Sequence, residues 1–101
     1  MLETKISNKR VNTIAFSGPL IVEHMEIIRK YINLYKSGSM LVINLQKAEY
    51  IGAGFMHALL DLKKEKPEAC ASITFTNAAG YVLSCMRMLH LDKVFNINEE
   101  V

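Results

Sequence analysis

Chemistry is thinly represented where this chain most invites it. The stretch Tyr50-Ile51-Gly52-Ala53-Gly54-Phe55-Met56-His57-Ala58-Leu59-Leu60 passes from an apolar strand signal through small residues into an amphipathic helix. Such a junction presents free backbone N–H groups and is a favoured place for reaction chemistry, yet this loop carries no hydroxyl, carboxylate or thiol. Its makeup points to binding rather than catalysis. Cysteine is equally sparse: Cys70 and Cys85 are the only two, they form no C-x-x-C pair, and their spacing suggests no zinc site, so both read as buried thiols. No apolar run approaches the roughly 20 residues of a membrane span, and Met1-Leu2-Glu3-Thr4 does not open a signal peptide. A soluble cytoplasmic protein without direct membrane insertion is expected, with peripheral attachment through a partner left open.

The charge balance excludes another class. Twelve basic and ten acidic residues leave a net charge of +2, and only the short run Lys63, Lys64, Lys66 gathers lysines. A nucleic-acid footprint needs a larger, clustered excess. With 101 residues, half of them hydrophobic, the length suits one compact domain over residues 1–101 with one core.

The apolar pattern alternates between two periods. Leu2 to Ser7 and Val11 to Ser17 read as strands joined by the polar turn Asn8-Lys9-Arg10, and Gly18-Pro19 is expected to stop the second. Leu20, His24, Ile27, Ile28, Tyr31, Leu34 and Tyr35 recur at helical spacing before Lys36-Ser37-Gly38 ends a first helix. Met40-Leu41-Val42-Ile43, unbroken and too short for a helix, reads as a central strand buried on both faces. Phe55, Ala58, Leu59 and Leu62 form the stripe of a second helix that Pro67 ends, followed by a strand over Ala71 to Phe75. Asn77 is placed to cap a third helix with the inner stripe Ala79, Val82, Leu83, Met86 and Leu89, and Val94 to Ile97 reads as a last short strand or an extended tail. The order β-β-α-β-α-β-α-β predicts a small α/β fold, a mixed and mostly parallel sheet of four to five strands with three to four helices.

Several pieces of this order together resemble the STAS family, the domain of bacterial anti-sigma-factor antagonists that is also found at the ends of sulfate transporters. Phe16-Ser17-Gly18-Pro19-Leu20 is similar to its second strand and G-x-L turn, Leu41-Val42-Ile43-Asn44-Leu45 to its central strand, which usually ends in Asp, and Leu89 to Ile97 to its closing G-L-x-x-x-F-x-I pattern. The resemblance covers nearly the whole chain. The signature loop, approximately I-D-S-S-G-L, falls on Ile51-Gly52-Ala53-Gly54-Phe55-Met56, and every polar position is lost. The phosphorylated serine of the family falls on Gly54, so no phosphoacceptor stands there. A phosphate at that place would add about −1.5 to −2 charges beside a helix N-terminus and repel a docked partner. Without an oxygen nucleophile that switch is absent, and the domain is expected to be locked in a form resembling the unphosphorylated one or regulated elsewhere.

The resemblance implies a non-catalytic protein-interaction module in a partner-switching pathway, binding a histidine-kinase-like anti-sigma factor or serine kinase. The expected contact residues are Gly52, Ala53, Gly54, Phe55, Met56 and His57, with an exposed Phe55 or Met56 forming an apolar patch. An accessory subunit of a phospholipid-transport ABC complex, bound to the transporter ATPase, would use the same loop. A sensory module for a nucleotide or other small ligand is a third reading, which a pocket beside Gly52 would favour. Plainer readings stand beside these. Gly52-Ala53-Gly54 is a tight turn before it is a phosphate cradle, lacking the Gly-Lys-Ser/Thr ending. His24, His57 and His90 share no metal spacing, and no cofactor is expected. Ser84 and Thr76 are the nearest alternative phosphoacceptors, and Asp61 with Glu65 is a solvated face.

Overall fold

A computed structural model of the protein describes residues 2–6, 11–36, 38–78 and 80–98. The turn expected at Asn8-Lys9-Arg10, the strand end at Ser7, Ser37 and the stripe residue Ala79 lie outside the described residues. The strands β1 (Leu2–Ile6), β2 (Val11–Leu20), β3 (Met40–Ile51), β4 (Ile73–Thr76) and β5 (Asn96–Asn98) form a single sheet in sequence order. β1 pairs antiparallel with β2, and the other neighbours are parallel. Between them lie a 3-10 turn (Val22–His24) and α1 (Met25–Asn33), then α2 (Ala53–Glu65) and α3 (Pro67–Cys70), then α4 (Gly80–Met88) and α5 (Leu91–Val94). The expected α/β class and mixed sheet are therefore present, with two single-turn helices, α3 and α5, that the apolar periodicity does not reveal.

Sequential strand order means that each crossover steps the same way, and right-handed crossovers then place the helices on one face of the sheet. Burial follows that rule. Ile14, Phe16, Leu41, Ile43, Leu45, Ile73 and Phe75 are buried, whereas Thr13, Ala15, Val42, Asn44, Thr74 and Thr76, pointing the other way, are half-buried. β3 is central in the sheet but buried on one face only, which corrects the two-faced burial expected from its apolar run.

Other corrections have local causes. β2 does not stop at Gly18-Pro19 but continues to Leu20, slipping register against β3 at Ala15/Ser17 and again at Gly18/Pro19. Gly18 takes φ +76°, and among the described residues the β1 pairing reaches Phe16, three positions short of Pro19, so no described β1 bond needs the N–H that Pro19 lacks. Leu20 consequently ends a strand instead of opening a helix. Helical structure begins at Val22, after the extended Ile21, and Leu34 is 67% exposed instead of lining the inner stripe.

Pro67 does end the second helix, and it also opens α3 as its first residue, where its missing N–H costs nothing. Asn77 adopts a left-handed φ of 61°, and its side-chain amide donates to Asn44 Oδ1 (3.1 Å). His90, also left-handed, separates α4 from α5, so Val94 is helical and the last strand starts at Asn96. Phe95 turns inward, edge-on to Phe75 with ring centroids 5.7 Å apart. Cys70 is buried, but Cys85 is only half-buried, unlike the expectation for both thiols.

Candidate partner-binding site

β3 outruns β4, whose last partner is Asn44, and its extension delivers Ile51 and Gly52 to the start of α2. Gly52 donates its N–H to Leu20 O (2.7 Å), tying the loop to the end of β2. A Cβ at Gly52 would lie 3.1 Å from that same carbonyl, tighter than ordinary contact, so the close crossing of two backbones explains this glycine. The bond also consumes an amide that a phosphate cradle would need.

Gly54 is different. It is exposed, and a Cβ there would meet only Val22 Cβ at 3.5 Å, an ordinary van der Waals distance. The fold leaves room for a serine at this position.

Of the six expected contact residues, Gly52 is half-buried, Ala53, Gly54 and His57 are exposed, and Phe55 and Met56 are buried. The expected apolar patch from Phe55 or Met56 is therefore not formed. Both fall on the inner stripe with Leu59 and Leu62, where the Phe55 ring meets Phe16 edge-on with centroids 6.5 Å apart. Phe16 in turn meets the His24 ring at 5.3 Å, and His24 Nδ1 accepts the Ile21 N–H (3.1 Å). His24 holds the loop after β2 rather than extending the stripe of α1.

Apolar exposure is supplied instead by residues that the spacing does not single out. Ile21 and Val22 flank Gly54 on one side, and Tyr50 stands at the end of β3. On the other side, an apolar groove of about 270 Å³ separates α2 from α4, lined among others by Ala53, Met56, His57, Tyr81, Cys85 and Met88. Tyr81 and Met88 are 67% and 77% exposed. A hydrogen bond with the Cys85 thiol holds the Tyr81 hydroxyl above the usual phenol value. The only available signal for these residues was their position off the inner stripe of Val82 and Met86.

Asn44 fills its place without a carboxylate. Its side-chain oxygen accepts from the Gln46 N–H (2.9 Å) and from the Asn77 amide (3.1 Å), joining the ends of β3 and β4. Ser84 is exposed beside the groove, and Thr76 is half-buried in β4. Asp61 is exposed, whereas Glu65 pairs with Arg29 across the α1–α2 contact (3.3 Å). Among the described residues, no three His, Cys, Asp or Glu side chains converge to hold a metal ion.

No family model matches the chain, and no curated protein matches it. Solved structures do. The anti-sigma factor antagonist SpoIIAA in its unphosphorylated form superposes with a TM-score of 0.69 at 12% identity, covering 100% of this chain and 90% of that one. An anti-sigma-factor antagonist (STAS) domain protein from Planctomyces limnophilus gives 0.68 at 18% identity, covering 97% and 90%. The chain has the STAS fold. At these identities most side chains differ, so the small-residue entry to α2 must be judged on its own geometry.

Proposed function

We propose that residues 1–101 form one STAS-like, non-catalytic protein-interaction module, acting in the cytoplasm as an antagonist in a bacterial partner-switching pathway that regulates transcription. Its partner is a histidine-kinase-like anti-sigma factor or serine kinase, which docks on the start of α2. The observation that carries this reading is the exposed turn of Ala53, Gly54 and His57 between two apolar flanks, Ile21 with Val22 and Tyr81 with Met88. Phe55 is enclosed beneath that turn, and the largely buried Met56 contributes only to the wall of the groove between α2 and α4.

Likeness to two anti-sigma-factor antagonists supports the partner class. With Gly54 in place of a phosphoacceptor, docking is constitutive at this position: no hydroxyl is present to receive a phosphate that would repel the partner. A Cβ at Gly54 meets Val22 Cβ only at ordinary contact distance, so substitution there does not force the backbone to move.

Affinity capture from the source cells, with the wild type beside Gly54→Asp, is the deciding experiment. A kinase-like anti-sigma factor is recovered by the wild type and lost with the charged variant. Recovery of an ABC transporter ATPase instead would replace this reading with that of a transporter accessory subunit. In a companion assay, incubation with the captured kinase and ATP leaves the wild-type mass unchanged and adds one phosphate to Gly54→Ser. A phosphate on the wild type, at Ser84 or elsewhere, would overturn the claim of insensitivity.

A further inference from the structure

Four lysines from separate stretches of the sequence, Lys30, Lys36, Lys64 and Lys66, collect at one pole of the fold. α1 and α2 both finish where the parallel strands begin, so the α1–β3 connection lies beside the α2–α3 junction. A crevice of about 160 Å³ is lined there by Tyr31, Leu34, Tyr35 and Met40, and a neighbouring one by Tyr35, Lys66 and Glu68. Leu34 is 67% exposed and Met40 44%. Lys30 and Lys64 occupy the last turns of α1 and α2, and Lys36 and Lys66 the connections; all four are exposed. Among the described carboxylates at this end, Glu65 is engaged with Arg29, Glu68 lines the second crevice, and Asp92 is exposed in α5 beside Lys93. Positive charge therefore surrounds two exposed aliphatic side chains and two tyrosines. The opposite pole carries Glu23 and Glu26 in the first turns of its helical segments.

We propose that this lysine-rich pole is a peripheral docking surface for an anionic lipid bilayer. The lysines meet headgroup phosphates, Leu34 and Met40 reach the acyl boundary, and Tyr31 and Tyr35 lie at headgroup depth, where amphipathic rings are favoured. Lysine's compact, flexible charge suits a diffuse negative field, and exposed aliphatic groups gain nothing from a nucleic-acid backbone. Among the described residues no helix is long and apolar enough to cross a membrane, so the contact lies on the surface. The pole is remote from the start of α2, and the inference holds or fails independently of the proposed partner.

Co-sedimentation with phosphatidylcholine vesicles, with and without about 30 mol % phosphatidylglycerol, tests this surface. Binding is expected only to the anionic vesicles and falls steeply with salt. Lys36→Ala and Lys66→Ala should each weaken it about fivefold, and Leu34→Ser about tenfold. Because the chain has no tryptophan, Leu34→Trp adds a single reporter whose emission shifts to the blue on anionic vesicles. Far-UV circular dichroism checks that these surface variants stay folded. Equal binding to both vesicle types, or binding indifferent to Leu34→Ser, would overturn the proposal. So would a single-stranded DNA 30-mer that binds as tightly as the anionic vesicles do.

Discussion

The inward and outward sides of the start of α2 are one residue apart and obey different rules. Inward, Gly52 is pinned to Leu20 by a 2.7 Å hydrogen bond and Phe55 is fully enclosed against Phe16. Outward, Ala53, Gly54 and His57 face solvent with space to spare. Substitution on the inner side is limited by packing, and on the outer side by whatever docks there. Two glycines two positions apart thus have opposite explanations, one imposed by a backbone crossing and the other unconstrained by the fold.

The largest expected effect breaks the inner side. Phe55→Ala removes a buried ring and should cost about 3–5 kcal/mol in chemical denaturation; a cost below about 1 kcal/mol would mean that the ring is not enclosed. Next, Asn44→Ala removes the acceptor of the exposed Gln46 N–H and of the part-buried Asn77 amide and should cost about 0.5–1.5 kcal/mol, whereas Asn44→Asp keeps an acceptor and stays within about 0.5 kcal/mol of wild type at neutral pH.

The two glycines then separate in sign. Gly52→Ala forces a methyl group against the Leu20 carbonyl and destabilises by about 1–2 kcal/mol. Gly54→Ala improves helix propensity without a clash and stabilises by about 0.5–1 kcal/mol. Thermal melts of the pair would expose an error in either placement if both shifts had the same sign.

The smallest effect concerns Cys70, enclosed where α2 passes into α3. Burial pushes its thiol above the ordinary value of 9.0, so the folded state holds its proton more tightly than the unfolded chain does. Stability from this group is complete below pH 9.0 and declines as pH rises from there through the raised folded value. In Cys70→Ala that alkaline decline should become shallower, as read from urea midpoints at pH 8 and pH 10.

The alternation of periods made the fold legible. Ile14 with Phe16, Leu41 with Ile43, and Phe55 with Leu59 and Leu62 all face the core as their spacing requires. Boundaries were less legible, because Gly18-Pro19 reads as a stop although β2 tolerates both residues once its β1 partner has ended. The apolar surface expected at the start of α2 was misread, since Phe55 and Met56 are buried. Met56 next to a small-residue loop suggests exposure, but only the angle at which α2 lies against β2 and α4 decides which way it turns. Tyr81 and Met88 belong to another helix, and no local pattern joins them to residues 53–57.

By itself the sequence determined the α/β class, the order of the strands and the three longer helices, the inner stripe of α2 and the missing hydroxyl at Gly54, because each depends on residue identity or short-range periodicity. Tertiary structure alone decided that Gly52 is held while Gly54 is free, that Ile21, Val22, Tyr81 and Met88 are the exposed apolar groups flanking the start of α2, and that Lys30, Lys36, Lys64 and Lys66 share a pole. The reason is physical: exposure and charge density are properties of neighbours in space, and these neighbours are brought together by crossover connections that no local spacing records.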